Sequence, residues 1–188
     1  MKARPHVAVA SAFLALALLA GCTPAPAPTP TPTVVATGPT EGPSTPSGSP
    51  SMTEDELYAE AERVFRAWVA EDEKITRSGG IVTPRFSELT ADPLRALMLE
   101  DYAGLRKRGE KMAGGSYRIE FIRPAPGKTR KGSVVALSTC VDSRSAQFSV
   151  GGKVEKKGSK ILSTSYFQLE GSALLLMFQQ GSMGDAVC

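Results

Sequence analysis

Acid-base, nucleophilic and metal chemistry rest on few residue types, and this chain is sparing with them. It has one histidine, His6, and three cysteines, Cys22, Cys140 and Cys188. A Ser-His-Asp triad needs an imidazole to take the serine proton, and a structural zinc needs clustered nitrogen or sulfur ligands, which no C-x-x-C pair supplies here. Histidine-free isomerisation or dehydration can run on carboxylate and phenol, for which Tyr58, Tyr102, Tyr117, Tyr166 and Asp142 are the candidates. Nothing in their spacing pairs them, so each tyrosine is expected at the core or rim with its hydroxyl in water. Gly127-Lys128-Thr129 copies the end of a phosphate-binding loop. Ile122 stands where that motif needs its first glycine, and a strand rather than a helix is expected to follow, so the segment reads as a hairpin loop. No catalytic, cofactor-binding or metal site is expected.

The first cysteine has a different context. Lys2 and Arg4 precede an apolar stretch from Val7 to Ala20 broken only by Ser11, about 14 residues where a membrane-spanning helix needs about 20. Leu19-Ala20-Gly21-Cys22 follows and resembles the bacterial lipobox. The resemblance implies a signal peptide at 1–21, a diacylglyceryl (palmitate-type) anchor on the Cys22 sulfur, and cleavage before Cys22. Two acyl chains anchor stably where one binds only reversibly. The protein is therefore expected on the extracytoplasmic face of a cell membrane, with the lipid bilayer as a partner through Cys22. His6 leaves with the signal peptide, and the mature domain has no imidazole at all. In an oxidising compartment the remaining pair, Cys140 and Cys188, is expected to form a disulfide; the alternative, Cys140 as a nucleophile, lacks a base.

Residues 22–52 read as a linker. Nine of the fourteen prolines lie between Thr23 and Ser51, with one charge, Glu41, and no aromatic residue, so too little apolar surface is present to offset the entropy of ordering. In polyproline II geometry, at about 3.1 Å per residue, it would reach roughly 90 Å from the bilayer. Its threonines are also compatible with O-glycosylation.

Residues 53–188 have the length of one domain. Thr53 with Glu56 forms a capping-box pattern, Met52 and Leu57 a staple, and Leu57, Ala61, Val64, Phe65 and Trp68 an apolar stripe at helical spacing. This helix is expected to end near Asp72. Gly79-Gly80 and Pro84 break the chain. Asp92-Pro93 then offers an N-cap with proline in the first turn of a second helix, striped by Leu94, Leu97, Met98, Tyr102 and Leu105 and closing at Gly109. Beyond Gly114-Gly115 the period falls to two. Strands are expected around Tyr117–Phe121, Ser133–Val141, Ala146–Val150, Ile161–Leu169 and Ala173–Phe178, the last two joined at Glu170-Gly171. Two helices followed by an antiparallel meander make an α+β fold.

Charge is uneven along this domain. Glu54 to Glu73 holds eight acids against two bases, whereas Lys74 to Cys188 holds eighteen bases against ten acids. Lys128, Arg130 and Lys131 on one loop, and Lys153, Lys156, Lys157 and Lys160 on another, offer a basic rim for an anionic envelope polymer or lipid headgroups. The same lysines also serve simply to solvate hairpin loops and protect strand edges. Nucleic acid is not an expected partner, because no aromatic residues interleave with them.

Two capped helices, a glycine-rich break, strands carrying Cys140-Val141-Asp142-x-Arg144, and a C-terminal cysteine resemble the NTF2-like lipoproteins of high-GC Gram-positive bacteria and their phages. The resemblance implies a curved sheet closed by helices into a cone. Such cones host enzymes, binders and structural modules alike, so fold alone leaves function open. The function expected is a membrane-anchored, non-enzymatic binding or interaction module at the envelope, holding a small apolar ligand in the cone or a partner outside it. The alternatives are an NTF2-like isomerase or dehydratase, which a buried carboxylate facing a tyrosine would favour, and a phage-encoded lipoprotein that modifies the host surface.

Overall fold

The capping box at Thr53 opens the longest helix. In a computed structural model of the protein, which describes residues 52–183 and 188, Thr53 Oγ1 accepts from the Glu56 N–H at 3.3 Å while the Glu56 carboxylate accepts from the Thr53 N–H at 2.7 Å. Two orphan donors are satisfied reciprocally. Acids in the first turn and Lys74 and Arg77 in the last complement the helix dipole. Helix α1 spans Glu54–Arg77, beyond the expected end near Asp72, because Ile75 and Thr76 continue its buried face past the charged run Glu71–Lys74. The expected signal peptide (1–21), Cys22 anchor and linker residues 22–51 lie outside the described residues.

Pro84, read from sequence only as a break, also starts a short helix, α2 (Pro84–Leu89), that buries Phe86 and Leu89. Helix α3 (Leu94–Arg108) ends at a left-handed Gly109 as expected, with three cations in its last turn. Its start differs from expectation. Pro93, not Asp92, occupies the N-cap, after a cis Asp92-Pro93 bond, and no side chain caps it.

The strands form two antiparallel sheets rather than one meander. β1 (Glu110–Gly114), β4 (Gln147–Val150) and β5 (Lys153–Lys157) pair in the order β1-β4-β5. β2 (Arg118–Pro124), β3 (Val135–Asp142), β6 (Lys160–Glu170) and β7 (Ala173–Met183) pair as β2-β3-β6-β7. β1 and β5 were absent from the sequence expectation, for a physical reason: β5 is exposed along its whole length and β1 turns only Glu110 and Met112 inward, so neither shows an apolar alternation. Lys153, Lys156 and Lys157 accordingly lie on a strand rather than a loop, and Lys160 begins β6.

The main core lies between the helices and the large sheet. Ala61, Val64, Phe65 and Trp68 of α1 pack with Phe86, Leu89 and Tyr102 over Val135, Leu137, Phe167, Leu174 and Leu176. Phe86 and Tyr102 meet edge to face at 5.3 Å, a favoured geometry for aromatic pairs. Each large apolar side chain removed from water here contributes about 1.5 to 3 kcal/mol. A smaller cluster, Ala91, Ala136, Tyr166, Leu175 and Met177, covers part of the sheet's other face. Cys140, wholly buried in the middle of β3, stands at disulfide distance from Cys188, with Cα atoms 5.9 Å apart. Among the described residues no helix is long and apolar enough to cross a membrane.

Candidate functional site

Helix α1 repeats every 3.6 residues, so positions 68, 72 and 76 share one face. That face carries Trp68, Asp72 and Thr76, which places a carboxylate in the continuation of an apolar stripe. Tyr102 of α3 donates its hydroxyl proton to Asp72 Oδ1 at 2.6 Å. Tyr117, just before β2, is brought in by the polar edge of the same helix. Its N–H donates to Glu73 Oε2 at 2.8 Å, Arg77 donates to the Gly115 carbonyl, and Arg77 Nε donates to Glu73 Oε1 at 3.0 Å.

Two glycines make these approaches sterically open. Gly80, at φ 89°, lies against the Tyr102 carbonyl, and Gly115, at φ 74°, lies against the Ser145 carbonyl. A Cβ at either position would collide with backbone, and both backbones are in the region that favours glycine. The glycine breaks of the sequence thus seat the two tyrosines.

Two hollows meet at Asp72 and Tyr117. The inner one, about 140 Å³, lies between α1 and the large sheet and is walled by Trp68, Val69, Val141, Ile161, Ser143, Ser163 and Gln179 as well. The outer one is a cleft of about 480 Å³ reaching α3 and the small sheet, with Met98, Tyr102, Arg108, Glu110, Phe148 and Lys156 on its sides.

Of the four acids lining the cleft, Asp72, Glu100, Asp101 and Glu110, the electrostatics of Asp72 and Glu110 differ. Burial pushes the Asp72 carboxyl up to about 6; the Tyr102 hydrogen bond opposes that shift, and Asp101 and Glu73 add to it. None of these groups is a cation. Burial works against ionisation of Glu110 as well, but Lys156 and Arg108 outweigh it and hold Glu110 below the usual carboxylate range. Burial and the Asp72 charge push the Tyr117 hydroxyl up to about 12 and raise that of Tyr102 further still. Among the described residues the indole Nε1–H of Trp68, a residue only 8% exposed, has no hydrogen-bond partner.

Of the sequence candidates, then, the fold brings Tyr102 and Tyr117 together and pairs Tyr102 with a carboxylate, correcting the expectation that nothing pairs them. Tyr166 instead stacks near Phe178 on the far face of the large sheet, at 6.3 Å between ring centroids. Tyr58 packs at the edge of the main core near the start of α1. Asp142 is structural. Arg144 binds it through side chain and backbone at 2.7 to 3.0 Å, with Arg118 adding its charge, and these hold its carboxyl well below the usual range. Asp72 was missed, although the signal existed: carrying the stripe four residues beyond Trp68 lands on an acid. Gly127-Lys128-Thr129 does lie on the loop between β2 and β3, followed by a strand. On that loop Arg130 covers the Phe178 ring at 3.4 Å, and Lys156 in the other basic cluster contacts Glu110. Among the described residues no three His, Cys, Asp or Glu side chains gather to hold a metal.

No protein family matches the chain, and no curated protein matches it. Among solved structures, the intermembrane space region of chloroplast protein ARC6 aligns at 12% identity and a TM-score of 0.42, over 71% of this chain and 98% of that one. A de novo beta-sheet design protein aligns at 10% identity and a TM-score of 0.33, over 68% of this chain and 95% of the design. The chain is α+β, its helices packed against antiparallel sheets.

Proposed function

We propose that the protein is an envelope lipoprotein, anchored through Cys22 on the extracytoplasmic face of a cell membrane, whose NTF2-like domain binds a small ligand without transforming it. The observation that carries this reading is the hollow of about 140 Å³ between α1 and the large sheet, with a polar set, Asp72, Ser143, Ser163 and Gln179, on an apolar wall. An apolar cavity of about 150 Å³ accommodates a benzene ring, so the ligand has roughly six to eight non-hydrogen atoms. A few convergent polar groups in a mostly apolar hollow is the usual composition of a binding site. The lipobox supports the address, and the basic groups of the β2–β3 loop offer a contact for anionic envelope polymer.

A second reading, an isomerase or dehydratase, is favoured by the Asp72–Tyr102 pair: a carboxyl titrating near 6 is suited to proton transfer near neutrality. The chain has a single tryptophan, Trp68, on the cavity wall. Its emission therefore reports occupancy directly. Small fragments of this size are expected to shift it saturably and to be recovered unchanged; fragments recovered chemically altered would establish the enzyme, and a Cys22→Ala variant that stays in the membrane fraction would overturn the anchor.

A further inference from the structure

We infer that the hollow takes a small methylated organic ammonium, with Asp72 as its counter-ion and Trp68 and Tyr117 as its aromatic wall. This deepens the small-ligand reading and rests on it. Four observations lead there. First, Asp72 is a half-buried carboxylate with Tyr102 as its hydrogen-bond donor and, among the described residues, no cation in the groups acting on it. The neighbouring cations are engaged elsewhere: Arg108 meets Glu110 at 3.0 Å, Lys156 also meets Glu110, and Arg77 meets Glu73 and the Gly115 carbonyl. An anionic ligand is repelled, a neutral one leaves the charge uncompensated, and a cationic one completes it.

Second, Trp68 and Tyr117 line the same hollow as that carboxylate. Indole and phenol faces attract cations through the ring quadrupole, and tryptophan does so best. Third, Val69, Val141 and Ile161 supply the rest of the wall. Apolar contacts suit methyl groups and give nothing to a hydrated inorganic ion, and a divalent ion would find a single carboxylate on this wall to balance its charge. Fourth, the volume of about 140 Å³ admits a quaternary ammonium with a short arm and little more. A ligand oxygen on that arm has Gln179 on the wall to meet it, one of whose two amide N–H donors goes to Ser165 Oγ at 3.0 Å, whereas Ser143 is tied to Ser159 and Ser163 to Thr139.

The test uses the full chain and the fluorescence of Trp68. Choline is titrated against 3,3-dimethyl-1-butanol, which has the same shape with carbon in place of the charged nitrogen. Choline is expected to bind at least ten-fold more tightly, and Asp72→Asn to bring the two to within about two-fold. The substitution is nearly isosteric and keeps an oxygen acceptor for Tyr102, and Tyr117→Leu, a second variant, is expected to weaken choline more than the neutral alcohol. Equal binding of the two probes to the wild type overturns the ammonium inference and leaves the small-ligand reading standing. If neither these probes nor any neutral fragment of that size moves Trp68 emission, the small-ligand reading itself falls.

Discussion

The large and small sheets share antiparallel pairing and differ in what covers them. β3 of the large sheet is buried along nearly its whole length, with helices over one face and the Tyr166 cluster on part of the other. β5 of the small sheet is exposed at every position, and its sheet is tied down at its edge by an ionic contact, Lys156 to Glu110. Area removed from water stabilises the first; pairing and a few charges hold the second. The site lies where they meet, because α1 supplies Trp68 and Asp72 to the hollow above the large sheet while Asp72 also faces the cleft shared with β1 and β5. A stable half and a loosely held half around one cavity is an arrangement in which ligand entry need not disturb the core.

The strongest way to break that comparison is to remove the covalent link on the large sheet. Cys140 and Cys188 are 48 residues apart in sequence, and closing such a loop is worth about 4 kcal/mol in the chain-entropy account. Cys188→Ser is expected to lower the free energy of urea unfolding by about that amount, and reductant is expected to cost the wild type the same. A loss below about 1 kcal/mol would mean that burial alone holds the large sheet.

The same division governs what was legible in the sequence. Where burial is one-sided, residues announce it: the α1 stripe, its Thr53 cap and the Tyr117–Phe121 alternation lie where their patterns put them, and the turn expected at Glu170-Gly171 falls one residue on, at Gly171-Ser172, because Glu170 still pairs with Ala173. β5, Lys-Val-Glu-Lys-Lys, buries neither face and so carries no period to read. α2 hid behind Pro84, which signals a break and a helix start with the same residue. For the site, the tyrosines were identifiable as candidates and the stripe spacing pointed to their partner, but Asp72 was passed over because it lay in an acidic run that reads as a solvated helix end. The buried Ile75 and Thr76 beyond it show that the helix, and the stripe, continue.

The next largest effect is expected at Asp72, the hinge between the two halves. Its carboxyl titrates at about 6 in the folded protein against an ordinary 3.8, so the folded state binds that proton more tightly than the unfolded chain. Stability from this group is fully present below pH 3.8, falls as pH rises through about 6, and is flat above. Relative to Asp72→Asn, the wild type is expected to lose about 2 kcal/mol between pH 4 and pH 7. Asp142, with its depressed carboxyl, contributes in the opposite sense but equally to both proteins, and cancels from the difference. Parallel stability curves for the two proteins would show that Asp72 is solvated like any surface acid. A variant that gains stability while losing choline would mark Asp72 as a residue kept for binding at a cost to the fold.

The smallest effect sharpens the comparison from the other side. Lys156 contacts the Glu110 carboxylate and lies 5.3 Å from the Phe148 ring, so it links β5 to both other strands of the small sheet. Two opposing terms decide what its removal does. Stripping a partner from a buried carboxylate is costly, and the Glu110 side chain is only 6% exposed. Yet Arg108 remains at 3.0 Å from the same carboxylate, and Lys156 is itself 57% exposed, where ion pairs contribute 1 kcal/mol or about that. The remaining cation wins: Lys156→Ala is expected to change global unfolding by less than about 1 kcal/mol. Amide exchange of β5 should nonetheless accelerate several-fold with the large sheet unaffected, because local opening of an exposed edge strand does not need the core to unfold. A global loss above about 3 kcal/mol, with exchange rising equally in β3 and β6, would instead make the two sheets one cooperative unit, and ligand entry would then require the whole domain to move.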